Sequence, residues 1–161
     1  MKTQSGLLPW TKSCFVCGEN NPYGLRLHAR FESGRVILEY KIREADAGYR
    51  RILHGGIAVT LLDEVMTWAS IVRSRKVFVA AGISVRFLGP IFVGDQIRVE
   101  GWVAKANARL CLTEGTVKNL NEKVLATAAG KFMPMSPDQV KRVEEDFVIS
   151  PEAIDPRDIV V

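Results

Sequence analysis

Hydrophobic and polar positions recur with two different periods along this chain, and the change of period marks its elements. From Arg35 to Ile42, Val36, Leu38 and Tyr40 alternate with Ile37, Glu39 and Lys41, the period of two that predicts a strand. A strand from Gly24 to Phe31 is predicted before it, with Glu32-Ser33-Gly34 as the turn. A loop rich in charge and glycine runs from Arg43 to Leu53. The spacing then changes: Ala58, Leu61, Leu62, Val65, Met66, Ala69 and Val72 make one broad apolar face on a helix from about Gly56 to Val72. Four further strands are predicted at about 77–88, 96–105, 109–118 and 123–133, with Gly89-Pro90 and Gly94-Asp95 as turns and Asn119 to Glu122 as a hairpin. Ser136-Pro137-Asp138 has the form of an N-cap and first turn, opening a short helix that reaches about Phe147.

Two strands, one helix and four strands predict an α+β domain, the helix burying its face against an antiparallel sheet. The short links in the second half predict that its four strands form a meander. At 161 residues one domain is expected over 1–161, with 1–23 as an irregular lead-in and 136–161 as a short helix and tail. A net charge of +4, with Lys and Arg scattered, suits a solvated surface or a phosphate-bearing ligand and not a nucleic-acid stripe. No apolar run is read as reaching the roughly 20 residues of a membrane span, and the N-terminus lacks the apolar stretch of a signal peptide. Three cysteines, an odd number, lead to an expectation of free thiols in a reducing cytoplasm.

The chemistry concentrates in His54-Gly55-Gly56-Ile57-Ala58-Val59-Thr60-Leu61-Leu62-Asp63-Glu64. Two glycines at a helix start put backbone N–H groups in the open at the positive end of the helix dipole, where they can polarise a carbonyl. Thr60, Asp63, Thr67 and Ser70 share a face opposite the apolar one, with small hydroxyl residues around one carboxylate in place of surface Lys and Glu. A carboxylate in such a crevice can act as general base or nucleophile. The residues alone leave a second reading open, in which Asp63 and Glu64 face solvent and the glycines only make a turn.

The same segment resembles the HGGxxxxLxD/E signature of the hotdog thioesterases, in the branch of the 4-hydroxybenzoyl-CoA and phenylacetate-pathway enzymes. Val85-Arg86-Phe87-Leu88-Gly89-Pro90 with Val93-Gly94-Asp95, then Asn107-Ala108-Arg109, then Val124 to Phe132, resemble the strands that follow it, over roughly residues 14 to 134. The resemblance implies a hotdog fold, a curved antiparallel sheet wrapped around one long central helix. It implies hydrolysis of an aromatic or short- to medium-chain acyl-CoA to the free acid and CoA. Asp63 then matches the catalytic carboxylate, Gly55 the backbone donor to the thioester carbonyl with Gly56 beside it, His54 the histidine orienting that loop, and Thr67 the Ser/Thr one turn past the carboxylate. It also implies a homodimer or dimer of dimers with sites at the subunit interface, Asp63 of one subunit facing Gly55 of the other. No cofactor beyond the CoA of the substrate, no nucleic acid and no membrane are expected. Two positions depart from the pattern: Gly48 stands where some relatives carry Gln, and Gly89 where an arginine commonly precedes the proline. Thr60 is taken as lining the substrate site, and Arg86, Lys105 and Arg109 are the candidates for holding the CoA phosphates.

Cys14-Phe15-Val16-Cys17-Gly18 has the spacing of a zinc knuckle or redox pair, but no second pair or histidine follows at ligand spacing. The expectation is therefore a packed turn without metal, and Cys111 is read as a buried thiol in a strand. Cys14 to Gly18 with Asn21-Pro22-x-Gly24-Leu25 also resembles the lead-in of one hotdog thioesterase subgroup. His28 is read as structural or exposed. Two other functions compete: a non-catalytic acyl-CoA binder, which has little use for Asp63, and an enoyl-CoA hydratase or dehydratase, which carries its histidine and acid in a different pattern.

Overall fold

The computed structural model describes residues 5–159. In chain order, β1 (Ser5–Leu7), β2 (Trp10–Thr11), β3 (Arg30–Glu32), β4 (Arg35–Lys41), β5 (Ala47–Tyr49) and β6 (Ile52–Leu53) precede α1 (Gly55–Ser74). Then come β7 (Phe78–Phe87), β8 (Gln96–Ala106), β9 (Cys111–Asn119), β10 (Val124–Pro134), α2 (Pro137–Val143) and β11 (Phe147–Val148). Seven strands form one antiparallel sheet in the order β1-β3-β4-β8-β9-β10-β7, and α1 packs mainly against β8 and β9. This is the α+β hotdog architecture expected from the sequence.

Close approach of helix to sheet rests on two glycines. Gly101 on β8 and Gly115 on β9 are register partners beneath α1. A Cβ on Gly101 would lie 2.7 Å from the Val65 backbone, and one on Gly115 would lie 3.0 Å from a Leu62 methyl. Without side chains there, Leu61, Leu62, Val65 and Met66 sink completely. Each such burial contributes roughly 1.5–3 kcal/mol. A valine at position 101 would push the helix off the sheet.

Five expectations are corrected. Gly24–Ala29 is not strand, because the N–H groups of Leu25 and Leu27 donate to the carbonyls of Phe15 and Val16 in the lead-in, 2.8 Å each, leaving only Arg30–Glu32 to pair with β4. The lead-in is not wholly irregular either: β1 pairs with β3, and β2 pairs with β11. Strands β8, β9 and β10 do form a meander, but β7 pairs with β10, since both edges of β8 are taken by β4 and β9. The tail is docked over its described length, with Ile154 N–H on the Leu7 carbonyl at 2.8 Å and Ile159 fully buried. The helix after Ser136 forms with a full capping box through Gln139. It is shorter than expected and ends in a 3-10 turn at Glu144–Asp146.

By length and composition the 20 residues of α1 are enough to cross a bilayer, contrary to the sequence reading. Its apolar face is spent on the sheet instead, as the core helix of a folded domain.

Candidate active site

The start of α1 is fixed by a buried carboxylate upstream. Asp46, 3% exposed, accepts from the Tyr40 hydroxyl, from the Arg43 backbone N–H at 2.9 Å and from the Arg43 guanidinium at 2.7 Å. Burial pushes its carboxyl up, but these bonds outweigh it and hold it below the usual range. Its carbonyl in turn accepts from His54 N–H at 2.8 Å, so the network anchors the residue before the helix.

His54 is the N-cap. Its Nδ1 accepts from Gly56 N–H at 2.9 Å, which leaves the ring proton on Nε2. A Cβ on Gly56 would lie 2.9 Å from that Nδ1, so the cap itself requires glycine. The two glycines therefore divide the work. Gly56 N–H is committed to His54, while Gly55 N–H meets no acceptor among the described residues. Beside Gly55 lies a cavity of about 380 Å³ walled by Ile52, Ala58, Phe87, Leu88, Pro90 and Ile91. An exposed N–H at the positive end of a 20-residue helix, opening on an apolar cavity, is an arrangement suited to a carbonyl oxygen.

Asp63 is half-buried on α1, with Thr67 Oγ1 donating to Oδ1 at 3.5 Å. Burial raises its carboxyl above the ordinary value, and the Thr67 bond draws it part of the way back. Raising a carboxylate in this way strengthens it as a proton acceptor. Thr60 lies between the two ends of the site, its hydroxyl donating to the Gly56 carbonyl at 2.8 Å. Ser70 does not join this face: it is fully buried and donates to the Met66 carbonyl at 3.0 Å.

Gly55 and Asp63 are eight residues apart on one helix, about 12 Å along its axis. No single thioester carbonyl can touch both groups of one chain. Arg86, Lys105 and Arg109 are not drawn to either. Arg86 pairs across β7 and β10 with Thr127, beside a groove shared with Ser84, Trp102, Glu114 and Thr116. Lys105 and Arg109 are exposed near the other end of α1, where Ser74 meets Cys111 at 3.3 Å, roughly 30 Å from Gly55.

Sequence reasoning missed the Tyr40-Arg43-Asp46 anchor, whose three members lie in a strand end and a loop without a motif to join them. It also missed Arg50 and Arg51, exposed in the β5–β6 hairpin just ahead of the helix start. The departure at Gly48 has a local meaning, because a Cβ there would lie 3.0 Å from the His54 ring. Neither carboxylate at 63 and 64 is a free solvent-facing charge. Glu64 lies on a different side of α1, against the Cys14–Cys17 turn, with Trp68 Nε1 donating to it at 3.1 Å.

Residues 51–126, from the β5–β6 hairpin into β10, match the family model described as Thioesterase superfamily. The match spans a little under half of the chain, and the architecture is the hotdog fold shared with the solved structures below. Acyl-coenzyme A thioesterase 13 of Homo sapiens is 29% identical over 87 residues, 53% of this chain and 62% of the relative. The chain thus spans under two thirds of that curated relative's length. Among solved structures, the E. coli PaaI protein from the phenylacetic acid degradation operon aligns with a TM-score of 0.61 at 20% identity, covering 66% of this chain and 76% of that one. The smu.793 protein of Streptococcus mutans, solved bound to acetyl CoA, aligns with a TM-score of 0.62 at 24% identity, covering 66% of this chain and 85% of that one.

Proposed function

We propose that this protein is an acyl-CoA thioesterase that works as a homodimer, each site combining Gly55 of one subunit with Asp63 of the other. The observation that carries the reading is the division of labour along α1. An uncommitted N–H opens on an apolar cavity at the helix start, and a half-buried carboxylate with raised basicity stands about 12 Å further on. Two antiparallel copies of the helix would bring each N–H opposite the other chain's carboxylate. The unpaired edge of β7, which carries the exposed apolar residues Val79 and Phe87, is a natural seam for such a copy.

In the reaction, Gly55 N–H donates to the thioester carbonyl oxygen and the helix dipole stabilises the charge that grows there. Asp63 takes a proton from water as the water oxygen bonds to the carbonyl carbon. The tetrahedral adduct collapses, the carbon–sulfur bond breaks, and the CoA thiolate leaves, taking the proton held on Asp63 as the carboxylic acid is freed. Thr67 holds the carboxylate or the water in line. The apolar cavity favours an aromatic or short- to medium-chain acyl group, and Arg50 and Arg51 join Arg86, Lys105 and Arg109 as candidates for the CoA phosphates. No further cofactor enters this reaction, and the three free thiols suit a cytoplasmic setting.

The test is release of free thiol from benzoyl-, phenylacetyl- and short- to medium-chain acyl-CoAs, with oligomeric state measured alongside. Turnover by the wild type that collapses in a folded Asp63→Ala oligomer supports the reading and names the acyl class. Tight acyl-CoA binding without thiol release would make the protein a binding module, and water addition to an enoyl-CoA would make it a hydratase.

A further inference from the structure

The Cys14–Cys17 turn has the geometry of a preformed metal knuckle, and the helix supplies a further donor that sequence spacing could not reveal. Cys14 Sγ accepts from the backbone N–H groups of Val16, at 3.2 Å, and Cys17, at 3.4 Å, so the peptide wraps one sulfur. Gly18 closes the turn with its N–H on the Cys14 carbonyl at 2.9 Å. A Cβ on Gly18 would lie 2.4 Å from that carbonyl oxygen, so no other residue fits. The turn is held in place by Leu25 and Leu27, whose N–H groups donate to the Phe15 and Val16 carbonyls.

Glu64 comes up from α1 against this turn. Its Oε2 lies 3.7 Å from Cys14 Sγ, and the donor atoms of Cys14, Cys17 and Glu64 all lie within 4.8 Å of one another. A tetrahedral zinc ion, with bonds of roughly 2.0–2.3 Å, needs ligand atoms about 3.5–3.8 Å apart. One edge already has that length, and the others close with side-chain shifts on the order of 1 Å. We propose that Cys14, Cys17 and Glu64 bind one Zn²⁺ ion, with water in the fourth position, and that the ion clamps the N-terminal lead-in onto α1. Two thiolates select a soft or borderline ion over Mg²⁺ or Ca²⁺. Thr11 Oγ1, 3.8 Å from Cys17 Sγ, stands beside the site to hold the water.

The hydrogen bond from Cys17 lowers the Cys14 thiol to about 5, against its burial. Burial, then the charge of Cys14, raises the Glu64 carboxyl to about 8. The hydrogen bond to Cys14 and burial raise the Cys17 thiol too. A divalent cation would let two thiols and a carboxylate crowded within 4.8 Å of one another ionise together.

The test does not depend on thioesterase activity. Full-length protein purified without chelator is analysed for metal, then stripped and titrated with Zn²⁺ and with Co²⁺. One equivalent of zinc per chain is expected, with a cobalt spectrum showing sulfur-to-metal charge transfer and tetrahedral ligand-field bands. Cys17→Ser should lose the charge-transfer band that two thiolates give. Glu64→Gln should weaken Zn²⁺ binding by at least about tenfold. Asp63→Asn, one position away, should bind normally. Stripping should lower the unfolding temperature by about 5 °C or more. A folded, reduced wild type that takes up neither metal overturns the proposal, as does a Cys14–Cys17 disulfide in protein purified without oxidant. Undiminished binding by folded Glu64→Gln overturns it as well, and that variant keeps the test open should the cysteine substitution fail to fold.

Discussion

Asp63 and Glu64 are neighbours on one helix, each with a hydrogen-bond donor one turn further on, yet they sit in opposite surroundings. Asp63 has Thr67 at 3.5 Å and a face of small side chains that leaves room beside it. Glu64 has Trp68 at 3.1 Å, and Trp68 itself lies edge-on to Phe147, with the cysteine turn packed over the carboxylate. Burial raises both carboxyls, but only one stays open to an incoming molecule. A step of one residue turns the side chain by about 100° around the helix axis. On this helix that step separates the carboxylate proposed for chemistry on a substrate from the one that meets the chain's own lead-in.

The sharpest way to break the comparison is to neutralise Asp63 without changing its shape. Asp63→Asn keeps the bulk and the Thr67 contact but cannot take a proton from water. A fall in kcat of about 10²–10⁴-fold is expected, the range of a lost general base. KM should change little and thermal stability should hold, since a half-buried carboxylate with raised basicity does not hold the fold together. Steady-state kinetics and a melting curve check both parts. A variant that melts much earlier while keeping its kcat would put Asp63 on the structural side of the contrast.

The comparison also shows what a sequence can carry. Helix limits were legible within two residues, and the four strands after it nearly as well, because each depends on local periodicity. That the proposed site residues Asp63, Gly55, His54 and Thr67 share one helix and its cap was legible for the same reason. What could not be read are contacts made across the chain: β7 reaching past β8 to β10, β2 pairing with a strand at Phe147, and Glu64 meeting Cys14. Gly56 shows the limit within a motif. Its N–H looked as open as that of Gly55, but the His54 ring turns back to take it.

That cap gives the next effect. His54→Ala leaves Gly56 N–H without its partner and loosens the entry to the helix, at a cost of about 1 kcal/mol in stability. Because it also shifts Gly55 relative to the cavity, kcat/KM should fall by about ten- to a hundredfold. Urea titration and steady-state kinetics read the two effects separately. Loss of stability without loss of activity would confine His54 to the fold.

Further upstream, Asp46 makes the same entry sensitive to acid. Its folded carboxyl is held below the usual range, with Arg43 and Tyr40 overcoming the penalty of burial. The stability it contributes is therefore present above the ordinary carboxylate range, at roughly pH 4 and higher, and is lost as pH falls through the folded value. Asp46→Asn should be less stable by about 1–3 kcal/mol at neutral pH. The gap to wild type should narrow below about pH 4. Denaturation midpoints from pH 7 down to 3 test the sign; a gap that widens in acid would mean that Arg43 and Tyr40 do not hold the carboxylate ionised.

The smallest expected effect separates Thr67 from the carboxylate it serves. Its bond to Asp63 is long, and long bonds contribute little in the ground state, so Thr67→Ala should leave stability within about 1 kcal/mol of wild type. If the hydroxyl holds Asp63 or the water in line, the loss appears in kcat, by about two- to fivefold, the equivalent of a single modest hydrogen bond. Thr67→Ser keeps the hydroxyl and should recover most of that loss, whereas a role in packing alone would need the methyl and would leave serine as poor as alanine. Because the affected step follows binding, KM should stay level. A change confined to KM would mean that Thr67 touches the acyl group and that Asp63 needs no help from its neighbour one turn on.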